Sequence, residues 1–376
     1  MRLFILTTAS ILALAATPAW ADKSKSTINQ KDVQNTARVT QTGALVGGDS
    51  TITQSGSINV ATVTQKDDGV APLVAGTRAN TSEVTQSGIN NQAFVDQAAE
   101  TIVARANASK ITQSGVNGVA RVTQRDDGQN SSIEQSGLQQ TATVVQGREK
   151  SGDTSYYNKS TVKQAGAINT ASVNQLGYEG SSAIDQNGTV LTASVDQAQG
   201  GGFRMASITQ TGTINAGVIK QKDGSQQAYI TQGGDHQNAS VNQSGNDNNA
   251  SVTQFDTTNL ATVDQIGNGG IATVNQSGSQ QLAKITQSGT GNASGITQSG
   301  ANQKAYSNQT GNYNGSTITQ AGAVQFAELL QSGNNNQSAI SQTGTSTNWA
   351  YVTQSTNGNS SAISQNGAGL LAVVHQ

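Results

Sequence analysis

The chain has 376 residues, 4% of them aromatic and 11% charged, with a net charge of −2 and no cysteine. So few large apolar side chains exclude an ordinary globular core, and the near-neutral charge excludes electrostatic capture of nucleic acid or anionic lipid. Without cysteine there is no disulfide framework, no thiolate metal site and no cysteine nucleophile.

Taken from the start, Met1 and Arg2 open an apolar run from Leu3 to Ala16, and Ala19-Trp20-Ala21 has the small-x-small form of a cleavage site. The run is too short to span a bilayer. Residues 1–21 are therefore predicted to be a secretory signal, with Asp22 as the mature start. No later stretch is apolar enough for a membrane, so no membrane insertion is expected.

From Ser26 onward one five-residue unit, small-x-[Val/Ile]-x-Gln, recurs thirty times. The first position is always Ser, Ala or Gly; the third is Val or Ile except at Ser307 and Leu329. Odd units mostly open with Ser (Ser26, Ser50, Ser82) and even units with Ala (Ala37, Ala61, Ala93), Gly217 excepted. The true repeat is thus a pair of units, usually 22 residues long and present fifteen times. Insertions fall only after even units, near residues 42–48, 66–78, 98–105, 147–157 and 198–204. One edge tolerating loops while the other does not is solenoid behaviour.

Each unit alternates at every second residue, which is the strand period. In Ala61-Thr62-Val63-Thr64-Gln65 the first, third and fifth residues face inward and the threonines outward. After most odd units comes x-Gly, and Gly56, Gly88, Gly115, Gly137 and Gly166 are predicted to supply the positive φ of a tight reversal. An Asn often stands six residues before the Gln, with inward parity beside the turn: Asn35, Asn59, Asn91, Asn169, Asn215 and Asn259. The two prolines, Pro18 and Pro72, avoid every strand.

The predicted fold is all-β: a two-sheet parallel β-solenoid of about fifteen strand-turn-strand coils over residues 22–376, with a rise of about 4.8 Å per coil and sheets about 10 Å apart. A buried Gln needs partners, and at that rise each amide reaches the one above and below. The expected structural ladder comprises Gln30, Gln41, Gln54, Gln65, Gln86, Gln97, Gln113, Gln124, Gln135, Gln146, Gln164, Gln175, Gln186, Gln197, Gln354, Gln365 and Gln376. The first strand follows closely on Asp22 and the last residue is itself a ladder Gln, so no cap is expected at either side. Open strand edges are templates for further pairing, and head-to-tail homopolymerisation is the expected outcome.

The pattern resembles the curlin repeat of bacterial curli, S-x5-Q-x-G-x-x-N-x-A-x-x-x-Q. Gln54-Ser55-Gly56 with Asn59, Ala61 and Gln65 fits it, as does Gln86-Ser87-Gly88 with Asn91, Ala93 and Gln97; at the opening Ser stand Asn80, Asn107 and Asn158 instead. The resemblance covers essentially the whole mature chain. It implies a major subunit of a secreted, cell-surface amyloid fibre serving biofilm, adhesion and aggregation. It also implies a nucleator subunit and an outer-membrane secretion channel as partners. Curli subunits carry a Gly-rich leader to that channel, whereas here only Asp22-Lys23-Ser24-Lys25 precede the first strand.

Enzyme chemistry has little to work with. His236 and His375 are far apart and read as surface residues, and no cofactor is expected. The turns Lys66-Asp67-Asp68-Gly69, Arg125-Asp126-Asp127-Gly128 and Lys222-Asp223-Gly224 suit plain turn chemistry, with weak Ca²⁺ binding as the alternative. An ice-binding face needs a regular outward Thr-x-Thr array, but full pairs occur only at Thr51/Thr53, Thr62/Thr64 and Thr317/Thr319. A monomeric adhesin stalk is the remaining alternative.

Overall fold

The computed structural model describes residues 24–43, 47–67, 79–99, 106–147, 156–197 and 202–376. The predicted signal, both prolines, Asp68-Gly69 and the middle of each expected insertion lie outside the described residues. Thirty strands are described, one for each of the repeated units, and among the described residues there is no helix.

The chain divides into two compact units, Met1–Thr189 and Val190–Gln376. The first runs from strand Lys25–Gln30 to strand Gly180–Thr189, and the second from Thr192–Gln197 to Leu371–His375. Within each unit strands pair, in parallel, with the strands two before and two after them, end strands on one side only, so odd and even strands form separate sheets. Each unit is therefore a two-sheet parallel β-solenoid, as its period predicts.

Register is strict. Ser50, Ile52 and Gln54 pair with Ser82, Val84 and Gln86; Ala261, Val263 and Gln265 pair with Ala283, Ile285 and Gln287. A one-residue slip would turn every buried side chain outward, and the alternating burial of Gly48–Gln54 and Gln226–Gln232 shows what would be lost. Ile52, Val84, Ile111 and Ile133 are completely buried, as are Ala61, Ala93 and Ala120 on the facing strands. Burying one such aliphatic side chain stabilises by about 1.5–3 kcal/mol, while the small residues let the sheets close together.

The turns are tight because of glycine. Gly56, Gly88, Gly115, Gly137 and Gly166 have φ of 87°, 104°, 152°, 113° and 97°. A Cβ at any of the first four would run into the carbonyl oxygen of the next glycine in this series, and one at Gly166 into that of Gly188. Both the dihedral and the coil-to-coil approach demand a residue without a side chain.

Candidate functional site

The polar interior is the feature that needs explaining, since an unpartnered buried amide costs several kcal/mol. In the first unit the Gln residues that close the repeated segments donate from Nε2 to Oε1 of the Gln one coil further on. Gln30 leads to Gln54, Gln86, Gln113, Gln135, Gln164 and Gln186, and Gln41 leads to Gln65, Gln97, Gln124, Gln146 and Gln175, all at 2.7–2.9 Å. In the second unit one line runs from Gln197 through Gln221 and Gln243 to Gln354 and Gln376. The other runs from Gln210 to Gln365. Of the amides singled out in the sequence, Gln30 and Gln41 are half-buried and Gln376 is exposed; the others are buried.

The second amide hydrogen has a use that spacing did not reveal. Gln54 Nε2 also donates to the Thr36 carbonyl at 3.1 Å, Gln86 to Val60 at 3.1 Å and Gln97 to Thr81 at 3.0 Å. Each of these carbonyls belongs to a strand of the opposite sheet. One side chain therefore ties neighbouring coils along the axis and also clamps the two sheets together across it. A hydrogen bond contributes about 0.5–1.5 kcal/mol net, and this core makes them at every coil.

Asparagine builds a second ladder at the turn. Asn91 Nδ2 donates to the Ser87 carbonyl at 3.0 Å and the Gly115 carbonyl at 3.1 Å. Its backbone N–H donates to Asn59 Oδ1 at 3.0 Å, and its own Oδ1 accepts from Gly118 N at 2.9 Å. The carbonyl of the turn glycine is thus held by an Asn one coil back. The opposite edge uses the same device: Asn107 Nδ2 donates to the Asp126 carbonyl at 2.8 Å, and Asn107 Oδ1 accepts from Gln129 N at 2.9 Å. Inward parity was readable from the sequence; this second set of bonds was not.

Three inward residues depart from the pattern, each in its own way. Ser307, in the aliphatic column, meets Ser294 and Ser316 hydroxyls at 2.8 and 2.7 Å. Leu329 is fully buried among the Val and Ile column. Arg204 pairs in register with Gln226, so a guanidinium occupies a position held elsewhere by an amide; it is 1% exposed.

Outward side chains also meet outward side chains one coil away, in register or on the diagonal. Lys110 Nζ lies 3.2 Å from Glu83 Oε2, Arg125 lies 2.6 Å from Asp96, and the Arg121 guanidinium sits 5.2 Å from the Phe94 ring centre. Exposed pairs of this kind contribute under about 1 kcal/mol, but they favour one register. His236 and His375 are both exposed. Asp126 and Asp127 are buried at their turn, while Asp223 accepts from the Ser244 hydroxyl at 3.3 Å. Among the described residues no three His, Cys, Asp or Glu side chains gather as a metal site would require.

This regular amide core is the context in which a family likeness can be placed. Residues 227–255 match the model of the curlin associated repeat. The matched curlin stretch holds almost all of strand Gln226–Gln232, all of Asn238–Ser244 and much of Asn248–Thr257, so it spans one full coil and begins the next. Within it lie Gln232, Gln243 and Gln254, and the Gln232-to-Gln254 amide bond of 2.9 Å. No curated protein matches the chain.

Proposed function

We propose that this chain is the structural subunit of a secreted, curli-like amyloid fibre that grows by end-to-end addition of copies and serves matrix, adhesion and aggregation roles at the cell surface. The curlin repeat and the β-solenoid fit a structural protein of this kind, and the role assigned is mechanical rather than catalytic. In this reading residues 1–21 direct export and are removed, residues 22–376 form the repeat region, and a nucleator and an outer-membrane channel are the expected partners. Among the described residues no helix is long and apolar enough to cross a membrane.

The observation that carries the proposal is the polarity of the amide ladder. Along each ladder line, every Gln between the two ends donates toward higher residue numbers and accepts from lower ones. At the low-numbered side Gln30 offers Oε1 outward, with no donor to it among the described residues. At the high-numbered side Gln365 and Gln376 use one amide hydrogen on the Trp349 and Ser360 carbonyls, at 3.0 and 3.1 Å, and keep the other. An acceptor face and a donor face are complementary, and the strand edge at each end adds a row of backbone N–H and C=O groups ready to continue the parallel ladder. A second copy continues the pattern without new chemistry.

The test is to purify the chain from residue 22 and follow it at micromolar concentration. Fibres with a meridional reflection near 4.8 Å are expected. A protein that stays monomeric for days, with full β-structure, would refute the proposal.

A further inference from the structure

The outward face of the even sheet in the second unit carries the largest group of touching aromatic rings among the described residues. Tyr306 and Phe326 lie 5.7 Å apart, Phe326 and Trp349 5.1 Å, Phe326 and Tyr351 5.5 Å, and Trp349 and Tyr351 6.3 Å. The last strand extends the patch with Leu371 and Val373, 68% and 52% exposed. With only fourteen aromatics in the chain (two Trp, seven Tyr, five Phe), four on one patch is a concentration. Exposed apolar patches of this kind mark contact surfaces.

Polar groups identify the occupant. Six successive strands of this sheet are Leu260–Asn268, Leu282–Thr290, Lys304–Thr310, Gln325–Ser332, Asn348–Gln354 and Leu371–His375, all in register. The two lysines of the face, Lys284 and Lys304, lie on the second and third strands; Glu328 and most of the rings lie on the fourth and fifth. We propose that this face pairs with the same face of a second copy, about a two-fold axis parallel to the strands and between the third and fourth of them.

Such an axis keeps position along the strand and reverses strand order. It sets Leu282 against Trp349 and Leu260 against Leu371 of the other copy. Lys284 then covers Tyr351 and Lys304 covers Phe326, each a cation over an aromatic ring. Glu328 faces the Tyr306 ring and hydroxyl. Asp264, which already accepts from Asn242 at 2.8 Å, faces His375. No like charges meet. Six strands at about 4.8 Å and five residues at about 3.3 Å cover about 500 Å² per copy, or about 1,000 Å² in total, the lower limit for a specific interface. The pairing is lateral and does not depend on end-to-end growth.

The chain has no cysteine, so single-cysteine variants report the geometry directly. Mixing Leu260→Cys with Leu371→Cys in the presence of a thiol-specific cross-linker about 8–10 Å long, suited to faces about 10 Å apart, should yield a covalently linked pair, while either variant alone should yield at least tenfold less. Tyr351→Lys, which sets a lysine against Lys284 of the other copy, introduced into both should remove the product, with circular dichroism unchanged; Leu371→Lys, in a mixture of Thr262→Cys and Val373→Cys, is a second disrupting variant. Thr317→Glu, on the outward face of the other sheet, should leave it. Equal product from one variant alone, survival of the product in Tyr351→Lys, or quenching of Trp349 by a soluble polysaccharide without any cross-link would overturn the pairing. End-to-end neighbours do not bring residue 260 to residue 371. Fibres without the cross-link therefore sink only the pairing, and the cross-link without fibres sinks only the proposed growth.

Discussion

Glutamine is tolerated in this core because it behaves as a two-donor, one-acceptor connector at a spacing its own length sets. Asparagine, one methylene shorter, does a different job: its Oδ1 reaches the backbone N–H of the next coil, as Asn215 does for Gln237 at 2.8 Å and Asn259 for Gln281 at 3.0 Å. Where Gln replaces it at the turn, the carbonyl oxygen overshoots; Gln237 and Gln281 each bury an Oε1 with no partner. Gln281→Asn should therefore stabilise the chain by about 1 kcal/mol, because a buried unsatisfied acceptor is removed and a bond gained. Chemical denaturation measures this, and an unchanged or lowered midpoint contradicts the assignment.

At the scale of the element, the turn decides what is allowed. Gly115→Ala would put a Cβ against the Gly137 carbonyl in a left-handed conformation, and a loss of at least about 2–3 kcal/mol is expected. The same turns hold β-branched residues in strained geometry: Ile168 has φ 58° and is 49% exposed, whereas Asn90 and Asn117 occupy the corresponding place at 55° and 59°. Asn tolerates that region far better than Ile. Ile168→Asn should raise the thermal midpoint, by an amount equivalent to about 1 kcal/mol, and a fall would mean that the exposed Ile packs against something.

For the whole molecule, the directional ladder makes the terminal amides special. Gln365→Ala and Gln376→Ala should slow seeded fibre elongation several-fold, while Thr317→Ala, outward in mid-sheet, should leave the rate unchanged; growth curves with preformed seeds separate the two. Equal effects would mean that growth does not use the amide face.

Much of this was legible from residue order. A period of two within units and of 22 between them dictates strands, two sheets, parallel pairing and which side chains face inward, because alternation and burial are geometric consequences of an extended chain. The turn glycines were equally plain, since only a residue without Cβ fits a left-handed reversal stacked on its own copies. What the tertiary structure alone decided are contacts between positions with no sequence relation. Among them are the clamp from Gln54 to the Thr36 carbonyl, the hydroxyl cluster at Ser294, Ser307 and Ser316, the burial of Arg204, and the gathering of Tyr306, Phe326, Trp349 and Tyr351. Periodicity tells which way a side chain points. Only the folded coils, set one above another, determine what it meets there.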